Sequence, residues 1–240
     1  MSEVIKVPLF VEIIGEPSVG KTHLACLFPK PAFFDTTPSK EAYKVLRKIY
    51  PTDWKERYFT VRSITDINNA VKTVKGQESK FKTVVIDTSA DLREMAGKEY
   101  LEEKRKEGKE RAQMMPEEYR WVNEKIDGLI DKVMGDMRMN LVFTAQMRDE
   151  WVDRKPTGRR IRKGYPTADF QSGLRLYLSL VQKVDEKTMN LINEWSRKCR
   201  VVKNMPRDQA NKEEWRVELT DISWKGIVEL TMLGEGEVVE

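Results

Sequence analysis

Histidine and cysteine are almost absent. The 240 residues contain one histidine, His23, and two cysteines, Cys26 and Cys199, far apart in the chain. That supply assembles neither a zinc site nor a His-based catalytic triad. Cys26 lies in the apolar stretch LACLF, which reads as buried helix, so a reduced, cytoplasmic chain is expected. No run of about 18 apolar residues occurs, which leaves no candidate membrane span. The opening MSEVIKVPLF carries an acid and only a short apolar run, unlike the basic start and long apolar middle of a signal peptide. Internal repeats and low-complexity tracts are also missing.

What is present is a globular composition, 40% hydrophobic and 34% charged with a net charge of +4. Charge is unevenly spread. Residues 148–207 hold 15 Lys or Arg against 7 Asp or Glu, and residues 208–240 hold 3 against 9. The basic region suits an acidic partner, and the acidic tail reads as solvated.

Short β-rich runs alternate with longer amphipathic stretches, the pattern of an α/β fold with a mostly parallel sheet flanked by helices. The pattern predicts strands at 8–14, 32–36, 58–62, 82–87 and 139–145. Helices are predicted at 21–28, 39–49, 64–75, 89–107 and 116–136. One domain is expected over 1–240, with a core at 8–147, a basic loop or hairpin at 148–170, and C-terminal strands and a helix over 171–240. Leu174–Val184 and Arg197–Asn204 read as antiparallel strands, and Ile222–Leu233 as a closing helix. The mixed-charge run 98–111 reads as solvated helix without chemistry.

The stretch GEPSVGKTH, from Gly15 through Glu16, Pro17, Ser18, Val19, Gly20, Lys21 and Thr22 to His23, contains the full P-loop pattern between a strand and a helix. Such a loop turns backbone N–H groups toward phosphates, with Lys21 bridging the β- and γ-phosphates of ATP and Thr22 ligating Mg2+. His23 follows on the first helical turn and reads first as a packing or surface residue. KTVVID, 82–87, is a buried strand ending in a carboxylate, and Asp87 is the expected metal-site acid.

TVVIDTSADL, 83–92, resembles the metal-binding strand of RecA-type recombinases. AFFDTTPSKEA, 32–42, is similar to that family's second core strand. NLVFTAQMRDEW, 140–151, resembles the strand that senses the γ-phosphate and leads into a DNA-binding loop, and CRVVKNMPRD, 199–208, the late strand whose Lys reaches a neighbouring subunit's ATP. Order and spacing agree over roughly residues 8–208. FPKP after the first helix and EEYRWVNEKIDGLI before the Gln strand look more like the small RecA-core proteins of phages, archaeal viruses and plasmids, which are linked to single-strand annealing and recombination.

The resemblance implies a RecA-like core with a C-terminal antiparallel β extension. It makes Gln146 the γ-phosphate sensor, with a polar strand end as the alternative, and Lys203 and Arg207 groups acting in trans across a ring or filament of identical chains. One departure stands out. The Glu that polarises water beyond the second core strand is replaced by Thr37, and the position after the metal acid holds Thr88. Asp35, Glu41 or Glu16 would have to substitute, which predicts tight ATP binding with turnover below about 10 per second.

Arg154, Lys155, Arg159, Arg160, Arg162 and Lys163 fall in a stretch without acids. They suit the phosphates of single-stranded DNA, with Trp151 and Tyr165 to stack on bases; a solvated hairpin or a subunit contact is the alternative. Three further functions remain open at this stage: a packaging or helicase-type motor, a nucleotide-gated switch, and, more remotely, a kinase with 148–170 as lid.

Overall fold

The computed structural model describes residues 6–37, 42–109, 111, 113–153, 155–166, 168–184, 191–204, 218–219, 227 and 237–238. In chain order the elements are β1 Lys6–Val7, β2 Phe10–Gly15, α1 Lys21–Cys26, β3 Pro31–Asp35, α2 Ala42–Ile49, α3 Trp54–Arg57, β4 Tyr58–Thr60, α4 Ile64–Val74, β5 Thr83–Asp87 and α5 Ser89–Lys106. They continue as α6 Tyr119–Asp131, β6 Asn140–Val152, β7 Lys155–Lys163, α7 Ala168–Gln171, β8 Leu174–Val184, β9 Leu191–Asn204, β10 Glu218–Leu219 and β11 Glu237–Val238.

The main sheet runs β10-β9-β8-β2-β6-β5-β3-β4, with β7 paired to β6 off this path. All pairings from β8 through β2, β6, β5 and β3 to β4 are parallel. The pairs β6–β7, β8–β9 and β9–β10 are antiparallel. The fold is therefore the expected α/β, a mostly parallel central sheet flanked by helices, with an antiparallel C-terminal β extension.

Parallel strands are covered on both faces, so they read as continuous apolar runs. β5 (TVVID) is buried at every position, and side chains alternate across the sheet. Val84 and Ile86 join one core with Phe10, Phe34, Leu141, Phe143 and the inner faces of α4, α5 and α6. Val85 joins the opposite core with Val11, Ile13, Phe33, Val142 and α1. Ser63 and Thr88 cap α4 and α5, their hydroxyls accepting from Asp66 N at 3.0 Å and Asp91 N at 3.3 Å.

Several boundaries differ from the sequence expectation. The strand expected to end at 145 runs on to Val152, because hydrogen bonding to β7 takes over from hydrogen bonding to β5. The helix expected over 116–136 starts with a 3-10 turn at Pro116–Glu118 and ends in a π turn at Lys132–Asp136. The short helices α3 and α7 were not foreseen, since four residues carry no periodicity. The second late strand starts at Leu191 and not at Arg197. The expected closing helix 222–233 lies outside the described residues except Ile227, which is helical and buried.

Candidate functional site

β2 delivers its last residue, Gly15, against β8, where a Cβ would stand 2.5 Å from the Leu178 carbonyl oxygen. Only glycine permits that approach. Gly20 holds the left-handed conformation at φ 101°, which turns the chain into α1. Lys21 is buried, and its Nζ donates to the carbonyls of Gly15 at 3.0 Å and Glu16 at 2.7 Å. Burial lowers the Lys21 pKa, opposed by the negative Asp87 and Glu16.

Asp87 ends β5 with 6% of its surface exposed. Its carboxylate accepts from Thr22 Oγ1 at 2.7 Å and from Thr144 Oγ1 on β6. Burial pushes its pKa up; the hydrogen bonds from Thr144 and Thr22 oppose this, Asp35 adds to it, and Lys21 opposes it. Among the described residues no cluster of three or more His, Cys, Asp or Glu side chains converges on a metal position. Thr22 and Asp87 thus offer one hydroxyl and one carboxylate. Such a hard-oxygen pair fits Mg2+, which completes its octahedron with water and substrate phosphates.

These groups line a cleft of about 550 Å³ together with Thr37, Thr88, Gln146, His23, Lys44, Lys48 and Arg197. Pro17 and Ser18 border it as well, while Val19 is buried beneath the loop. Gln146 reaches the cleft because parallel pairing sets it beside Gly15. Burial first, then the positive Arg197 and Lys48, holds the His23 pKa below its ordinary value near 6.5.

The candidate bases are accounted for one by one. Asp35 is fully buried. Its Oδ1 accepts from Thr37 N at 2.9 Å and Thr37 Oγ1 at 2.6 Å, and its Oδ2 accepts from Tyr58 OH at 2.6 Å. Both oxygens are committed to holding the β3 turn. Glu16 pairs with Arg160, and Glu41 lies outside the described residues. Thr88 caps α5 and donates to Asp91 Oδ2 at 2.9 Å.

The basic segment folds as β7, and its cations have separate surroundings. Lys155 and Arg159 are exposed. Arg160 pairs with Asp149 at 2.9 Å and with Glu16, and Lys163 lies 3.6 Å from Glu94. Arg162 turns inward to the fully buried Glu12 of β2, which Arg175 of β8 also holds at 2.8 Å. The expectation that Tyr165 stacks on bases is corrected: it is fully buried, and its OH donates to Asp127 Oδ1 at 2.7 Å. Trp151 is 60% exposed near the turn of the hairpin. Arg154, like Arg207, lies outside the described residues. Lys203 sits on β9 in register with Arg175, and its side chain is likewise outside them.

Sequence reasoning missed Glu12, Thr144 and Arg197. A charged residue in the otherwise apolar FVEIIG run was the one available signal, for Glu12.

A family model described as "AAA domain" matches residues 8–197. Among solved structures, the crystal structure of the RadB recombinase is similar at 15% identity, covering 83% of each chain with a TM-score of 0.47. No curated protein matches the chain.

Proposed function

Because the chain belongs to the AAA-domain family, we propose that it is an ATP- and Mg2+-binding protein that holds single-stranded DNA on its β6–β7 hairpin and supports annealing or recombination. The observation that carries the nucleotide part is the convergence of Lys21, Thr22 and Asp87 in one cleft, from segments 65 residues apart. Bound Mg2+ would supply charge neutralisation at the nucleotide's phosphates. Asp87 and Thr22 would hold it, Lys21 would exchange the loop carbonyls for the phosphates, and Gln146 would offer an amide N–H toward the γ-phosphate.

Hydrolysis is slow in this reading, since Thr37 and Thr88 occupy the two places for a water-polarising carboxylate and Asp35 has no oxygen to spare. The same observation favours a second reading, a nucleotide-gated switch that consumes no ATP. Phosphate release over hours, with Asp87→Asn as blank, separates the two.

DNA is assigned to the hairpin because Lys155 and Arg159 are exposed there beside Trp151, a mixture of cations and one aromatic suited to single strands. A ring or filament of identical chains would bring Lys203 and Arg207 to a neighbour's nucleotide. The test is anisotropy of labelled single- and double-stranded DNA with and without a non-hydrolysable ATP analogue. Nucleotide-dependent, single-strand-selective binding is expected, and equal binding of both DNAs regardless of nucleotide rejects the assignment.

A further inference from the structure

The cleft holds three cations that the P-loop pattern does not account for, Lys44 and Lys48 from α2 and Arg197 from β9. Arg197 stands on β9, opposite Leu180 of β8, and β8 lies directly beside the P-loop strand β2. From there its side chain reaches over the loop. A methyl group on Gly20 would lie 2.9 Å from Arg197 Nε and 3.1 Å from its Cζ, so the guanidinium rests against the loop's last glycine. It borders the cleft that holds Lys21, Thr22 and Asp87.

Among the described residues no carboxylate pairs with Arg197; Asp87, which lines the same cleft, is engaged by Thr22 and Thr144, and Glu16 of the loop by Arg160. Arg197, Lys21, Lys44 and Lys48 line the cleft against one carboxylate, Asp87, among its described lining residues, and a polyphosphate is the ligand that neutralises this excess of positive charge. Its neighbours also say which phosphates. Arg197 lines the cleft with Thr37, Thr88 and Gln146, and it also lines the adjoining hollow with Gly20, His23 and Leu24. Its contact with Gly20 places it where the loop continues into α1, and the backbone N–H groups of such a loop cradle the α- and β-phosphates.

We propose that Arg197 binds the nucleotide's diphosphate in cis, as a second cation from the same chain that clamps the polyphosphate against Gly20 opposite Lys21. This rests on the nucleotide-binding reading of the P-loop. It adds a within-chain contact to a site whose late-strand cations were expected to act only on a neighbour's nucleotide.

The experiment measures dissociation constants of fluorescently labelled ADP and of ATPγS for the full chain, for Arg197→Ala, Arg197→Lys and Lys21→Ala, with a nucleotide-free melting curve for each. Arg197→Ala weakens ADP and ATPγS by the same factor, about tenfold, the scale of one charge-assisted contact. Arg197→Lys recovers part of the loss, and the nucleotide-free melting temperature stays unchanged because no internal partner is lost. Unaltered affinity in Arg197→Ala overturns the proposal, as does a loss confined to ATPγS. A nucleotide-free melting temperature lowered alike in both Arg197 variants shows a structural role and overturns it too. Failure of the underlying reading looks different: the parent chain then binds neither nucleotide, or Lys21→Ala binds like the parent.

Discussion

At the residue scale, the threonines decide the chemistry of the cleft. Thr37 ties down Asp35, and Thr88 spends its hydroxyl on capping α5, so in the proposed reading Asp87 is the metal acid and the described residues of the cleft supply no free base. Thr37→Glu places a carboxylate where the water-polarising group is absent, and steady-state phosphate release rises by about a hundredfold, the usual scale of general-base assistance. A rate equal to the parent's, in a variant with a parental melting curve, shows that the missing Glu is not what slows turnover. Asp87→Asn removes the negative ligand but keeps the shape, so Mg2+-dependent tightening of ATP binding disappears in a titration with and without the metal. The P-loop and Asp87 were legible because each is a local pattern of residue types in a strand-turn-helix context. Thr144 was not. Its role exists only because β6 lies beside β5, a pairing between residues 57 apart that no short window records.

At the element scale, β2 carries a charge through the middle of the sheet. Glu12 is fully buried on the central strand, between Arg162 from the hairpin and Arg175 from β8. Removing the carboxyl leaves both arginines without this acceptor beside a cavity, so Glu12→Ala costs about 3–5 kcal/mol in urea unfolding. Burial raises the Glu12 pKa above its ordinary 4.5, more than the two arginines lower it. A raised carboxyl pKa means the folded state holds the proton more tightly than the unfolded chain. The stability it contributes is complete below about 4.5 and is lost as pH rises through the higher folded value. Unfolding measured from pH 4 to pH 7 therefore shows a decline in the parent chain that Glu12→Gln lacks. Strand and helix positions were largely visible in the apolar periodicity. The length of β6 was not, because its outer half is polar and exposed and gains its structure only by pairing with β7.

At the scale of the whole molecule, the proposed partner of the basic hairpin is a strand of DNA. Of its cations, Lys155 and Arg159 face solvent, Lys163 is partly engaged by Glu94, and Arg162 is withdrawn to Glu12. Replacing Lys155, Arg159 and Lys163 together by Ala lowers the slope of log affinity against log salt for single-stranded DNA by about 2, at about 0.7 per lost phosphate contact. An unchanged slope removes the hairpin from the interface. Trp151→Ala loses about 1–3 kcal/mol of affinity at constant slope, as stacking does not release counterions. Alternation of strand and helix made the α/β class readable, whereas the basic composition of 148–170 could not distinguish cations facing solvent from one facing the core. That distinction follows from alternation along β7, where neighbouring residues point to opposite faces. The same alternation governs β6, which leaves the cleft at Gln146 and ends at Val152, about 20 Å away at 3.3 Å per residue. The hairpin's reach is consequently quantised. Lengthening both of its strands by two residues carries the tip about 7 Å outward with every face preserved, whereas lengthening by one turns Trp151 to the opposite side of the ribbon.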